Sequence, residues 1–95
     1  MDLYQEVIFA ELARLLRRVC EHSQPGLSPA TMLEDLPGID SLRLLQAVAQ
    51  LEEFFRVEID IVALDDLACV QDILNAISAA RPAATREFVL EQLSE

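Results

Sequence analysis

A turn at Pro37-Gly38 runs into Asp40-Ser41-Leu42 and then into an apolar helical repeat that reaches Phe55. Ser41 is the residue best placed for chemistry. A serine where a loop becomes a helix can be a cap, its hydroxyl accepting a hydrogen bond from a free backbone N–H of the first turn. The same position suits a phosphate, because those N–H groups and the helix dipole both favour negative charge. Local physics leaves both roles open.

Other reactive residue types point to nothing comparable. The one histidine, His22, falls in a polar helix end far along the chain from Ser41, and no acid–base pair has the spacing to activate a nucleophile. Catalysis by the chain itself is therefore not expected. Cys20 and Cys69 form no CxxC pair and have no second ligand cluster, so neither a zinc site nor a disulfide framework is indicated, and both are expected to be buried thiols in a reducing compartment. Asp60, Asp65 and Asp66 lack the alternating carboxylates, glycine and distal glutamate of a calcium loop and are expected to be solvated loop acids.

Elements that hold Ser41 must come from 95 residues, enough for one domain without staples. The composition is 53% hydrophobic and 5% aromatic with two glycines, an aliphatic mixture that suits helix packing. A net charge of −10 argues against nucleic acid phosphates and anionic lipid and favours basic protein surfaces as partners. No charged-then-apolar leader opens the sequence and no apolar run nears the ~20 residues needed to span a bilayer. A cytoplasmic monomer is the expectation.

The first helix is expected from Asp2, its cap, to about Glu21, with Tyr4, Ile8, Leu12, Leu15, Leu16 and Val19 on one face. Its early glutamates and late arginines complement the helix dipole. Pro25-Gly26 follows, and the long connection to Gly38 is expected to tuck in Leu27, Met32, Leu33 and Leu36 and to form one helical turn after Ser28. The second helix should span Ser41 to about Phe55, with Leu44, Leu45, Val48, Leu51 and Phe55 inward and Arg43, Gln46, Gln50 and Glu53 outward. Val57 to Ile61 alternates like a strand but has no visible partner and is read as an extended connection, followed by a short helix or turn over Ala63 to Leu67. Another helix starts at Val70 and ends near Ala80. Thr85 to Ser94, with Phe88, Val89, Leu90 and Leu93, is expected to be an extra amphipathic helix, folded back on the domain or used as a docking tail. The expected division is 1–81 for the main domain and 82–95 for a C-terminal amphipathic extension.

Leu33-Glu34-Asp35-Leu36, Asp40-Ser41-Leu42 and Leu51-Glu52-Glu53-Phe54-Phe55-Arg56-Val57-Glu58-Ile59, taken together and at these distances, resemble the acyl carrier protein family and its peptidyl and aminoacyl carrier relatives. The pattern extends without gaps from Asp40 to Val70, 31 of the 95 residues. Two departures are Pro37, which lengthens the turn before Gly38 by one residue, and Asp60, where many members have proline. The resemblance implies an all-α fold, an acyl-carrier-like four-helix bundle of three longer helices and one short. It also implies that Ser41 is where a phosphopantetheinyl transferase attaches 4'-phosphopantetheine, with Asp40 and Leu42 beside it, Asp40 contacting the transferase site. The arm's thiol would then carry acyl or aminoacyl groups as thioesters for a loading enzyme and for downstream tailoring or condensing enzymes. On this basis Leu42, Arg43, Leu45, Gln46 and Ala49 are the expected docking face. Arg43-Leu44-Leu45-Gln46 stands where fatty-acid carriers show a more acidic face. A freestanding carrier of a dedicated, secondary-metabolite type pathway is therefore expected over a fatty-acid carrier, or a carrier-shaped adaptor without the arm.

Overall fold

The computed structural model describes residues 2–82. The helix expected over Thr85 to Ser94 lies outside the described residues. Those described form four helices, α1 (Leu3–Cys20), α2 (Ser41–Phe55), α3 (Ile61–Leu64) and α4 (Val70–Ala79), with two-residue strands β1 (Val57–Glu58) and β2 (Arg81–Pro82) and a 3₁₀ turn at Leu33–Asp35. The expected helical bundle of acyl-carrier type is what the chain forms, with a small strand pair added.

Asp2 opens α1 by accepting a hydrogen bond from the Gln5 N–H at 2.8 Å. Glu21 ends it in the left-handed conformation. Ile8, Leu12, Leu15, Leu16 and Cys20 are buried, so Cys20 takes the last core position that the pattern gave to Val19, while Tyr4 stays 42% exposed. Tyr4 meets Phe55 edge to face, ring centroids 5.8 Å apart, and the far end of α1 lies against Gly38. The two long helices therefore run antiparallel.

Helix α2 has the expected bounds. Ala47, Val48 and Leu51 form its buried stripe, with Leu44 and Phe55 partly buried against the core. Leu45, expected inward, is 50% exposed. The correction has a simple cause: α2 packs on α1 and α4 along one narrow stripe, which the small Ala47 fills and which leaves Leu45 on the open side.

The long connection is held by more than its apolar side chains. Leu33 and Leu36 are buried as expected and Leu27 is partly so, but Met32 is 40% exposed. Its backbone is instead engaged, in a bridge to Cys69. The Leu33 N–H donates to the Ala68 carbonyl at 2.9 Å, the Val70 N–H to Thr31 at 2.9 Å and the Gln71 N–H to Pro29 at 2.8 Å. After Ser28 the chain makes a single turn, closed by Thr31 N–H to Ser28 carbonyl at 3.1 Å, and no helix. These bonds satisfy backbone groups that a long loop would otherwise leave to solvent.

Val57 to Ile61 was expected to lack a partner, and here the structure differs. Val57 pairs with Pro82 and Glu58 with Arg81, antiparallel. A two-residue strand after α4 has no sequence signal of its own; it exists because α4 delivers the chain alongside β1. The Glu52 carboxylate accepts the Ile59 N–H at 2.9 Å, fixing the exit from α2. Helix α3 starts at Ile61, two residues before the expected Ala63, because Asp60 caps it by accepting the Val62 N–H at 3.1 Å.

At the start of α4 the Asp72 carboxylate accepts N–H groups from Ala68 at 2.8 Å and Cys69 at 3.1 Å. These donors, Ala68 foremost, hold the Asp72 carboxyl below the ordinary carboxylate range. As pH falls the unfolded chain takes up this proton first, so the stabilisation is complete above about pH 4, the unfolded value, and disappears as pH drops through the folded one. Asp72→Asn is expected to flatten the acid limb of a plot of Tm against pH below about pH 4. Thermal melts of both proteins between acid and neutral pH measure it. Among the described residues no helix is long and apolar enough to cross a membrane.

Candidate functional site

Ser41 occupies the first helical position of α2, and the cap is its neighbour. The Asp40 carboxylate accepts the Arg43 N–H at 2.7 Å, with Asp40 itself in extended conformation. The alternatives left open for Ser41 are thus separated: capping is done by Asp40. The Ser41 side chain is exposed, and among the described residues its hydroxyl has no hydrogen-bond partner. An uncommitted hydroxyl beside the free N–H groups of a fifteen-residue helix has the surroundings that a phosphodiester requires. The residues present therefore fit a phosphate-linked group.

Asp40 also accepts from the Arg43 guanidinium, Nη1 to Oδ2 2.9 Å, and the same nitrogen lies 3.5 Å from the Gly38 carbonyl oxygen. Arg43, expected to face outward for docking, is turned back on the loop and half-buried. Its charge offsets that of Asp40 next to Ser41. An exposed pair of this kind adds little to stability, under about 1 kcal/mol; its effect is on the local field. Asp40→Ala removes the cap and is expected to destabilise the chain by about 1 kcal/mol, read as a lower midpoint in urea unfolding with an unchanged slope.

The entry to α2 is fixed from below by Gly38, whose φ is +76°. A Cβ there would lie 2.8 Å from the Cys20 carbonyl oxygen and 2.9 Å from His22 Cδ2. The end of α1 and the turn before α2 are in direct contact at the one place where a hydrogen side chain is needed. Burial pushes the Cys20 thiol up, with Arg43 opposing and Asp40 adding to the shift. His22, distant in sequence, comes to this end of the molecule but sits over Gly38, its Nδ1 2.8 Å from the Glu21 carbonyl oxygen. Cys69 is only half-buried.

Leu42, Leu45, Gln46 and Ala49 are all exposed, Leu42 at 66%. Their spacing of three and four residues makes them one open face running along α2 from Ser41. Beside Ser41 an open groove of about 500 Å³ is lined by Met32, Leu33, Ile39, Leu44, Leu67 and Ala68, with Glu34, Asp40 and Ser41 as its polar members. Sequence reasoning did not find this groove, because its walls come from the connection, α2 and the segment before α4. Ile39 and Leu44, apolar on either side of Asp40-Ser41, were the available signal. Asp60, one of three acids that could suggest a metal, is engaged as the α3 cap, and among the described residues no group of three or more potential ligands is placed to hold a metal ion.

Comparison with known proteins agrees with this geometry. A family model described as "phosphopantetheine attachment site" matches residues 10–77, from within α1 to within α4. Searches of curated proteins and of solved structures found no match. The match spans well over half of the chain and includes the Asp40-Ser41-Leu42 turn, so the chain belongs to the phosphopantetheine-attachment carriers, a family whose members hold a covalently attached 4'-phosphopantetheine.

Proposed function

We propose that Ser41 is the attachment residue and that the chain carries acyl or aminoacyl groups for a dedicated biosynthetic pathway. The observation that carries this reading is the exposed, unpartnered hydroxyl of Ser41 at the first position of α2, with the cap supplied by Asp40. In the loading step the Ser41 oxygen attacks the phosphorus of coenzyme A that bears pantetheine. A P–O bond to serine forms, the pyrophosphate P–O bond breaks, and adenosine 3',5'-bisphosphate leaves. The serine proton passes to a base on the transferase.

This chain's contribution is positional. The packed stripe of α2 fixes the helix start, the free N–H groups of its first turn would favour a phosphodiester on Ser41, and Arg43 tempers the charge of Asp40 beside it. When bound, the group supplies a thiol that holds the cargo as a thioester. The tether raises the effective concentration of cargo at a docked enzyme to about the millimolar range. The groove beside Ser41, apolar but for Glu34, Asp40 and Ser41, would offer the arm a surface between partners.

The exposed face of Leu42, Leu45, Gln46 and Ala49 is the docking surface in this reading. Its first turn has no acidic residue, which favours partners with apolar contacts over the strongly basic ones that suit an acidic carrier, and hence a dedicated pathway over bulk fatty-acid synthesis. To test the proposal, the full chain is incubated with coenzyme A, magnesium and a promiscuous phosphopantetheinyl transferase. The expected result is one phosphopantetheine mass increment, placed on Ser41 by fragmentation. No increment, beside a control carrier that is modified, would favour an adaptor without an arm. The intact mass of the chain isolated from its host identifies the cargo.

A further inference from the structure

The groove beside Ser41 joins apolar walls to a single uncommitted charge. Met32, Leu33, Ile39, Leu44, Leu67 and Ala68 supply the apolar surface, and Glu34, Asp40 and Ser41 the polar side chains. Asp40 is already engaged: one carboxylate oxygen accepts the Arg43 N–H at 2.7 Å and the other its guanidinium at 2.9 Å. Glu34, exposed, has no hydrogen bond or ion pair among the described residues. Among those residues no basic side chain lines the groove.

Donors for an anion are equally scarce along the walls. The N–H groups of Leu33, Ile39 and Leu44 go to the carbonyls of Ala68, Leu36 and Asp40 at 2.9, 3.1 and 2.9 Å, and that of Ala68 goes to the Asp72 carboxylate at 2.8 Å. In the carrier reading the free N–H groups of the first turn of α2 serve the phosphodiester. A cargo bearing a carboxylate would therefore meet the like charge of Glu34 with no donor to offset it. A plain hydrocarbon acyl group would suit the walls and leave Glu34 unanswered. A cation joined to an apolar body answers both features.

We infer, resting on the carrier reading above, that the cargo is an aminoacyl group with an aliphatic side chain, its ammonium set against Glu34 and its side chain on the apolar walls. The volume, about 500 Å³, falls in the range of about 300–1,000 Å³ found for small-molecule sites. Because Ser41 is itself part of the lining, a group tethered to it samples the groove at an effective concentration of about the millimolar range. An exposed ion pair is weak, so the apolar contacts supply most of the affinity and Glu34 the selection.

The test uses the full chain, loaded by a promiscuous phosphopantetheinyl transferase from coenzyme A analogues in which an amide replaces the thioester, so that the cargo stays in place. Two cargoes of one shape are compared: leucyl, whose α-amino group is protonated at about pH 6.5, and 4-methylpentanoyl, which lacks it. An anionic succinyl group is the third. Methyl shifts of Leu44 and Leu67, referred to the chain bearing the arm alone, read the ratio of docked to free cargo. That ratio is expected to be about two- to fivefold higher for leucyl than for 4-methylpentanoyl, and lowest for succinyl. Glu34→Gln, a change at an exposed side chain, is expected to remove the preference and leave 4-methylpentanoyl docking unaltered.

Equal docking of leucyl and 4-methylpentanoyl in the parent, or a leucyl preference that survives Glu34→Gln, would overturn the assignment. So would succinyl docking as well as leucyl, or shifts absent for all three. A chain that takes up no arm at all would overturn the carrier reading and this inference with it, whereas a loaded chain that docks its cargoes alike would overturn the cargo assignment only.

Discussion

Replacing Ser41 by alanine is expected to abolish loading by the transferase entirely while leaving the fold intact. In the proposed reaction the nucleophile is the Ser41 oxygen, and alanine offers none. Stability should change by no more than about 0.5 kcal/mol, because the hydroxyl makes no hydrogen bond among the described residues and alanine is a better helix former than serine. The cap is supplied by Asp40, so nothing in the first turn depends on the serine side chain. Intact mass after the transferase reaction and a thermal melt of the same sample check both halves. Loss of loading together with loss of folding would mean that Ser41 has a structural role, and retained loading would mean that another residue is the acceptor.

Gly38→Ala should have the largest effect on the fold of any change near the site. A side chain at a φ of +76° meets the strain of the left-handed region, about 1–2 kcal/mol. In addition its Cβ would approach a backbone oxygen of Cys20 to 2.8 Å, a contact that cannot be relieved by rotating a side chain. Together these are expected to remove about 2–4 kcal/mol from a domain whose total stability is of the order of 5–15 kcal/mol. The melting temperature should fall by roughly 10–20 °C, measured by calorimetry or circular dichroism. Because the strain sits between the end of α1 and the start of α2, loading of Ser41 should also slow at temperatures where the chain is still folded. A melting temperature within a degree or two of the parent would show that the turn rearranges freely.

These two substitutions also mark what could be read from the sequence. The start of α2 was legible because it is set locally by a turn and Asp40-Ser41, and its end near Phe55 because the apolar periodicity stops there; that Arg56 closes the helix in the left-handed conformation, φ +56°, was not. The position of Ser41 at a helix start followed. Which residue caps did not, since serine and aspartate are both good caps and only the backbone register chooses between them. Leu45 was misplaced for a related reason. Periodicity gives the direction of a buried stripe but not its width, and Ala47, small and easily overlooked, proved to be the residue at its centre.

Features that depend on distant segments were not legible at all. The β1–β2 pairing, the contact of Gly38 with Cys20 and the groove beside Ser41 each join residues far apart in sequence. No local pattern encodes them. Arg43 lies between these cases: its helical register was correct, but its engagement with Asp40 and the Gly38 carbonyl is a choice of rotamer that the sequence does not specify.

The bridge from Pro29, Thr31 and Leu33 to Ala68, Val70 and Gln71 has a consequence for the order of events in a cell. The segment leading into Ser41 is sewn to residues made well after it, so a nascent chain still on the ribosome presents the serine before its surroundings are in place. In the proposed loading, a transferase that needs the assembled surface meets it only once residues through Gln71 have emerged, which places loading after folding.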